Sequence, residues 1–330
     1  MSSDLSTPTL ATPSLDGIEP RVAIVSPGDR TDRLTVPLAA AGIDYSVNPV
    51  DPTTFDVVIC DTPDREMLRT VVECRLDGTP VLFRQRGDPF WGIGEWIDSR
   101  VKKAVLFRML RAVDGCLAIA PHQASKYSRK TGVQSDIVTL PKDVAEWPDS
   151  DHTDEELRII SLTNATYPDK YRPLLELAPA VDEVLESGTW RIGSWCDKHG
   201  EEIRGVLGSY DNIEYGIQLD AEAELEWANV MIHHSGLDVL PNAILEGMAA
   251  RLPVLTNPHV AFSQSPAPTV ISSGDRVPEL LAQLRDPEGR QVVGDRGHDY
   301  VARAHDPEAV GHELVRAVTR LTDIGGDGKR

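Results

Sequence analysis

Lysine is scarce in this chain. Only eight of its 33 basic residues are lysine, and 52 acidic residues bring the formal net charge of the 330-residue sequence to −19. A surface this negative opposes non-specific binding to nucleic acid, whose phosphates need a cationic match. Cysteine is scarcer. Cys60, Cys74, Cys116 and Cys196 are scattered and form no metal-ligand spacing. Cys60 and Cys116 fall in apolar, strand-like runs, as reduced and buried thiols of a cytoplasmic protein do. No apolar run approaches the roughly 20 residues that span a bilayer. Residues 1–20 are rich in Ser, Thr, Pro and Leu but have no charged stretch followed by an apolar core, so they read as a disordered tail and not as a signal peptide.

What is present suits two domains. Hydrophobic residues make up 41% of the sequence, enough for real cores. The aspartate-rich, lysine-poor balance is similar to that of proteins from salt-loving archaea, where screening relieves self-repulsion. From 21 to 142, apolar runs at 21–25, 56–60, 80–84, 115–120 and 137–141 read as strands. Helical patterns at 64–76, 100–113 and 121–131 lie between them, the 100–113 helix with Val101, Val105, Met109 and Ala112 as its apolar face. A charge-dense break at 143–157 reads as a linker. A second series covers 158–306, with strands at 158–163, 189–193, 213–216, 230–232 and 254–256 and helices at 172–186, 198–208 and 220–228. A last helix over 307–322 opens the closing segment 307–330 and carries Val310, Leu314, Ala317, Val318 and Leu321 on one face. Strands alternating with helices predict an α/β protein with two mostly parallel, doubly wound, Rossmann-like domains.

The most informative stretch is Asn229 to Asn257, N-V-M-I-H-H-S-G-L-D-V-L-P-N-A-I-L-E-G-M-A-A-R-L-P-V-L-T-N. It reads as strand, polar loop, helix, strand, with Asn242 as the expected N-cap and Pro253 ending the helix. The helix N-terminus then points out of the carboxyl end of a strand, a ready place for phosphate. Asp238 and Glu246 flank it with seven residues between them. Carboxylates beside a diphosphate need hydroxyl partners of their own, which points to sugar and ribose. His233 and His234 end the strand with no acidic or thiol partner at metal spacing, and read as packed or polar-lining residues.

This segment resembles the donor-site signature of the retaining nucleotide-sugar glycosyltransferases of the GT-B fold, the family 4-like glycosyl transferases group 1. That pattern is Glu-x7-Glu, a helix rich in Ala and Met, then Pro-Val. Here Asp238 stands for the first Glu, Glu246 for the second, and Gly247-Met248-Ala249-Ala250 and Leu252-Pro253-Val254 complete the match. The resemblance implies two domains facing a cleft, with the last helix crossing back to the first. Its Arg and Lys pair for the diphosphate falls at Asn164 and Lys170, so only the lysine matches. Ile192-Gly193-Ser194 falls at the glycine turn beside the phosphates, and Gly216-Ile217-Gln218 at the loop that contacts the base. Arg86 stands near the place of a histidine that many members set beside the reacting sugar.

The resemblance implies a reacting centre of Asp238, Lys170 and Arg86. It implies a donor surface of Asn164, Gly193, Ser194, Gly216, Ile217, Val239, Leu240, Pro241, Asn242 and Glu246. The leaving phosphate helps deprotonate the acceptor in this family, so no protein base is required. No DxD-type metal site is visible, and the nucleoside diphosphate sugar is the donor substrate with no metal or cofactor expected. Arg84, Arg86 and Asp88 beside Phe90, Trp91 and Trp96 form either an acceptor site or a surface loop with locally packed aromatics. Arg100, Lys102, Lys103, Arg108 and Arg111 form either a peripheral membrane contact, presenting a lipid-linked glycan at the inner face, or a solvated basic face. An epimerase acting on a nucleotide sugar, and a non-catalytic nucleotide-sugar binder, are alternative functions. The first would turn over donor without acceptor, and the second would bind donor without turnover.

Overall fold

The computed structural model of the chain describes residues 20–28, 31–95, 97–150, 152–257, 270–271 and 274–326, and its strands form two six-stranded sheets. The first half runs β1 (Val22–Val25), α1 (Asp32–Ala40), β2 (Tyr45–Val47), β3 (Val57–Cys60), α2 (Arg65–Asp77), β4 (Val81–Arg84), α3 (Pro89–Glu95), α4 (Arg100–Ala112), β5 (Gly115–Ala118), α5 (Pro121–Thr131) and β6 (Ser135–Ile137). The second runs β7 (Arg158–Thr163), α6 (Pro168–Leu185), β8 (Thr189–Ser194), α7 (Gly200–Leu207), β9 (Ile213–Ile217), α8 (Ala221–Trp227), β10 (Val230–His233), α9 (Asn242–Ala249), β11 (Val254–Thr256), β12 (Val270–Ile271), α10 (Val277–Gln283), α11 (Pro287–Ala304) and α12 (Pro307–Gly326).

The strand orders are β2-β1-β3-β4-β5-β6 and β12-β11-β10-β7-β8-β9. Every pairing is parallel. β1, β3, β4, β5 and β10 are buried at every residue, which explains their largely apolar runs, Arg84 and His233 closing β4 and β10: helices cover both faces. Chain order reverses once in each sheet, between β1 and β3 and between β7 and β10. Open α/β sheets bind ligands beyond the carboxyl ends of their strands at that point.

Several expectations shift. The last strand of the first sheet is Ser135–Ile137 rather than 137–141, because its ladder with β5 runs from Cys116–Ser135 to Ala118–Ile137. The buried residues of α4 are Met109 and Leu110, while Val101 and Val105 are 73% and 41% exposed. The helix packs through Leu106, Met109, Leu110 and Ala112, a quarter-turn from the expected stripe. α6 starts at Pro168, four residues before the expected 172. Proline at the first helical position has no N–H to lose, so the helix extends back to include Lys170. α10 and α11 had no counterpart in the sequence reading. Of the expected tail only Pro20 is described, and it is buried; Trp96 and residues 327–330 lie outside the described residues.

α12 lies on α1 and gives Val310, Leu314, Val315, Val318 and Leu321 to the core of the first sheet, beside Val22, Ile24, Leu34 and Leu38. Gly311 allows the close approach, since a Cβ there would meet the Pro37 carbonyl at 2.4 Å. The segment that joins the sheets is pinned along its length. Ser150 N–H donates to the Ala250 carbonyl, and the buried Arg290 of α11 donates to the carbonyls of His152, Asp154 and Leu284. A buried guanidinium held by carbonyls ties this segment to the second domain more firmly than its dense surface charge suggests.

Candidate functional site

A cavity of about 490 Å³ opens between the carboxyl ends of the two sheets. One wall is Asp61 after β3, Arg84 to Asp88 after β4, Trp91 and Ile93 of α3, and Leu106 of α4. The other is Tyr167, Lys170 and Leu237 to Leu240. Both points of strand-order reversal therefore feed one cleft.

The second-domain wall is built from the loop after β10. Ser235 is bracketed by Asn257: its N–H donates to Oδ1 at 3.2 Å, and Nδ2 donates to its carbonyl at 2.9 Å. The Ser235 hydroxyl accepts from the N–H groups of Leu237 and Asp238, which curls the loop and turns Asp238 back over the strand end. There the Asp238 carboxylate meets Lys170 Nζ at 2.5 Å and His233 Nε2 at 3.3 Å. Burial alone would raise the Asp238 pKa. His233 and Lys170 outweigh it and hold the carboxyl well below its usual range. Lys170 sits in the first turn of α6, where the helix dipole disfavours a cation. An anion is needed there, and Asp238 supplies it.

α9 begins beside the same loop. Its N-cap is Pro241 in extended conformation, with no side-chain cap; Asn242 is the first helical residue and not the expected cap. The first N–H groups of the helix have no intrahelical acceptor, a local partial positive charge.

The first-domain wall centres on Asp61, which has no exposed side-chain surface. Arg84 donates to its Oδ1 at 3.1 Å, Arg86 Nε to its Oδ2 at 2.8 Å, and Ser26 Oγ to Oδ2 at 3.3 Å. Burial lowers the Arg84 pKa to about 10, with Asp61 opposing the fall, so it remains a cation at neutral pH. Ser26 is itself bracketed by Asn48, whose amide bonds its N–H and carbonyl at 2.9 and 2.8 Å. The aromatics that follow β4 lie on α3 and face different ways. Phe90 packs on Phe107 and Tyr127, whereas Trp91 lines the cavity. Asp88 pairs with Lys126.

Glu246 does not line this cavity. Its Oε1 receives Lys142 Nζ at 3.1 Å, just after β6, and that ammonium lies 4.7 Å from the Trp147 ring. Asn164, Gly193, Ser194, Gly216, Ile217, Pro241 and Asn242 also lie outside the cavity lining. Asn164 Oδ1 accepts from Thr166 N–H within its own turn. Ser194 Oγ accepts from Ala165 N–H and donates to the Cys196 carbonyl, joining the loops after β7 and β8. Gly193 and Gly216 are in the last residues of β8 and β9, not in turns. A Cβ at either would press on Leu219, at 3.1 and 2.8 Å, so their small size is already explained by packing. Ile217 is exposed.

Sequence reasoning missed Asp61, Ser26, Lys142 and the partnership of His233. The available signals were an acid directly after the buried run Val57–Cys60, and one of only eight lysines placed where the first domain ends. Among the described residues no three His, Cys, Asp or Glu side chains gather as a metal-binding group, and no helix is long and apolar enough to cross a membrane.

No protein-family model matches the chain. It is 34% identical over 303 residues to ORF31 of a virus (isolate Australia/Victoria), a protein assigned by name as a glycosyltransferase; the match covers 91% of this chain and 96% of that one. The structure is similar to that of Anabaena HepE in complex with UDP-glucose, with a TM-score of 0.70 and 8% identity over 92% of this chain and all of the other. Sucrose-phosphate synthase from Thermosynechococcus elongatus gives 0.69 and 13% identity, covering 92% of this chain and 99% of that one. At such identities the structural likeness speaks for the fold alone, and that fold is GT-B.

Proposed function

The chain belongs to the glycosyltransferases, and we propose that it moves a hexose-type sugar from a nucleoside diphosphate sugar to an acceptor hydroxyl with retention of anomeric configuration. The observation that carries this reading is the Lys170–Asp238 pair in the cleft, with the uncapped start of α9 beside it. In the donor complex the diphosphate takes Lys170, and Asp238 turns to the sugar hydroxyls. The α9 N–H groups meet charge that grows on the leaving diphosphate. Val239, Leu240, Pro241 and Asn242 support the sugar, and Glu246 holds the ribose hydroxyls. Asn164, Gly193, Ser194, Gly216 and Ile217 form the outer margin of the donor surface. The bond from the anomeric carbon to the phosphate oxygen breaks, and a bond to the acceptor oxygen forms on the same face. The acceptor proton passes to the leaving phosphate, so neither a protein base nor a metal is required. Arg86 orients the acceptor across the cleft.

The acceptor is a glycan or lipid-linked glycan, and the protein works in the cytoplasm. The cations of α4, set around exposed Val101 and Val105, give it a peripheral contact with anionic lipid at the inner face of the membrane.

Thermal-shift screening of nucleoside diphosphate sugars at high salt tests the donor reading, with UDP-glucose, the ligand of HepE, tried first. A stabilising donor, turnover that survives EDTA and a product anomer matching the donor by NMR are the expected results. An inverted product removes the retaining mechanism. Loss of activity on chelation, restored by Mg²⁺, removes the metal-free site. Conversion of donor into an epimeric nucleotide sugar, without any acceptor, makes the protein an epimerase.

A further inference from the structure

Lys142 lies where three parts of the molecule meet. It follows β6 at the point where the chain leaves the first sheet, and its backbone N–H donates to the His305 carbonyl at 2.7 Å, at the junction of α11 and α12. Its ammonium reaches α9 of the second domain and binds Glu246 Oε1 at 3.1 Å. Side-chain exposure is 12% for Lys142 and 15% for Glu246, so the pair is largely shielded from solvent screening. The Trp147 ring, 4.7 Å from the ammonium, limits where the lysine can move.

This arrangement has two physical consequences for Glu246. A carboxylate held through one oxygen has a fixed rotamer, so a diol binding to it loses less conformational entropy. The anchor of that carboxylate also belongs to the crossing between domains and not to the domain that carries Glu246. We propose that Lys142 is a positioning residue for Glu246, so that the interdomain crossing sets the affinity for the donor's nucleoside. This rests on the reading of Glu246 as the group that holds the ribose hydroxyls.

The test is calorimetry and steady-state kinetics on the full chain at high salt. UDP, GDP and ADP are titrated, and the tightest binder is carried forward. Lys142→Met should weaken nucleotide binding about tenfold and raise the donor KM equally, with kcat within about twofold of its original value. Lys142→Arg, which keeps the charge and reach, should recover most of the loss. In the double variant with Glu246→Gln, Lys142→Met should add less than about twofold, because the two residues act as one unit. Unchanged nucleotide affinity in Lys142→Met, while Glu246→Ala still weakens binding, overturns the positioning role alone. A full tenfold loss added on top of Glu246→Gln also overturns it, since Lys142 would then act independently. Unchanged affinity in Glu246→Ala overturns the ribose reading itself and the positioning role with it.

Discussion

Ser26 and Ser235 stand at matching places in the two sheets. Each follows a strand at the point of strand-order reversal, β1 in the first sheet and β10 in the second. Each is clamped at its N–H and carbonyl by the amide of an asparagine, Asn48 after β2 and Asn257 after β11. Each then touches the segment of an acidic residue that lines the cleft, Asp61 through its hydroxyl and Asp238 through its backbone N–H. The difference lies in what the acid does next. Asp61 is fully buried, with both oxygens taken by arginines and a serine, and serves as a fixed anchor for the first wall. Asp238 is partly open and holds a lysine on a flexible stem. One wall is anchored inside the protein, and on the proposed reading the other exchanges its partner for the donor.

The largest effect should come from breaking the anchor. Asp61→Ala leaves the buried Arg84 guanidinium without its carboxylate and should cost about 3–5 kcal/mol of stability, read by thermal or denaturant unfolding. A loss within the range of an ordinary surface change would erase the distinction between the walls. Next comes the exchangeable side. Lys170→Ala should lower kcat by roughly 10²–10³-fold while free nucleoside binds as before, because the proposed work of this lysine is on charge at the diphosphate. Equal losses for nucleoside and nucleoside diphosphate would make Lys170 a second structural anchor.

Glu246→Ala sharpens the same contrast further from the reacting centre. It should weaken nucleotide binding by about 1.5–3 kcal/mol by calorimetry, with the fold intact. An effect confined to acid pH concerns the seam between the walls. His305 is buried, its Nδ1 donating to the Leu140 carbonyl at 2.8 Å, and burial lowers its pKa to about 4. The folded value lies below the ordinary 6.5, so the fold resists protonation. Stability should be complete above pH 6.5 and should fall as pH drops towards 4, by at most about 1.4 kcal/mol per pH unit. Asp238 stays ionised across that window, its carboxyl being held below the usual range. His305→Asn should flatten the slope in pH-dependent unfolding; an unchanged slope would assign it to other groups.

How far the site is legible in the sequence follows the same division. The loop and helix of the second wall are written locally: Ser235, Asp238 and α9 lie within 15 consecutive residues, and their spacing survives folding unchanged. The first wall is not. Ser26, Asn48, Asp61 and Arg84 are brought together from four separate strand ends, and no spacing along the chain marks them as one cluster. Asn242 shows a limit even for local reading. Its composition favours a cap, yet Pro241, already extended, takes that position and leaves the helix start bare.

The sequence by itself determined the fold class and the alternation of strands and helices up to β11, because apolar runs and helical periods are properties of neighbouring residues. It also determined that a helix start would follow a buried strand, flanked by two acids with seven residues between them. Only the tertiary structure decided which cation meets which acid. Lys170 reaches Asp238 across 68 positions and Lys142 reaches Glu246 across 104. An ion pair falls off steeply with distance in space and is indifferent to distance along the chain, so its partners are settled only when the sheets and their crossing have packed.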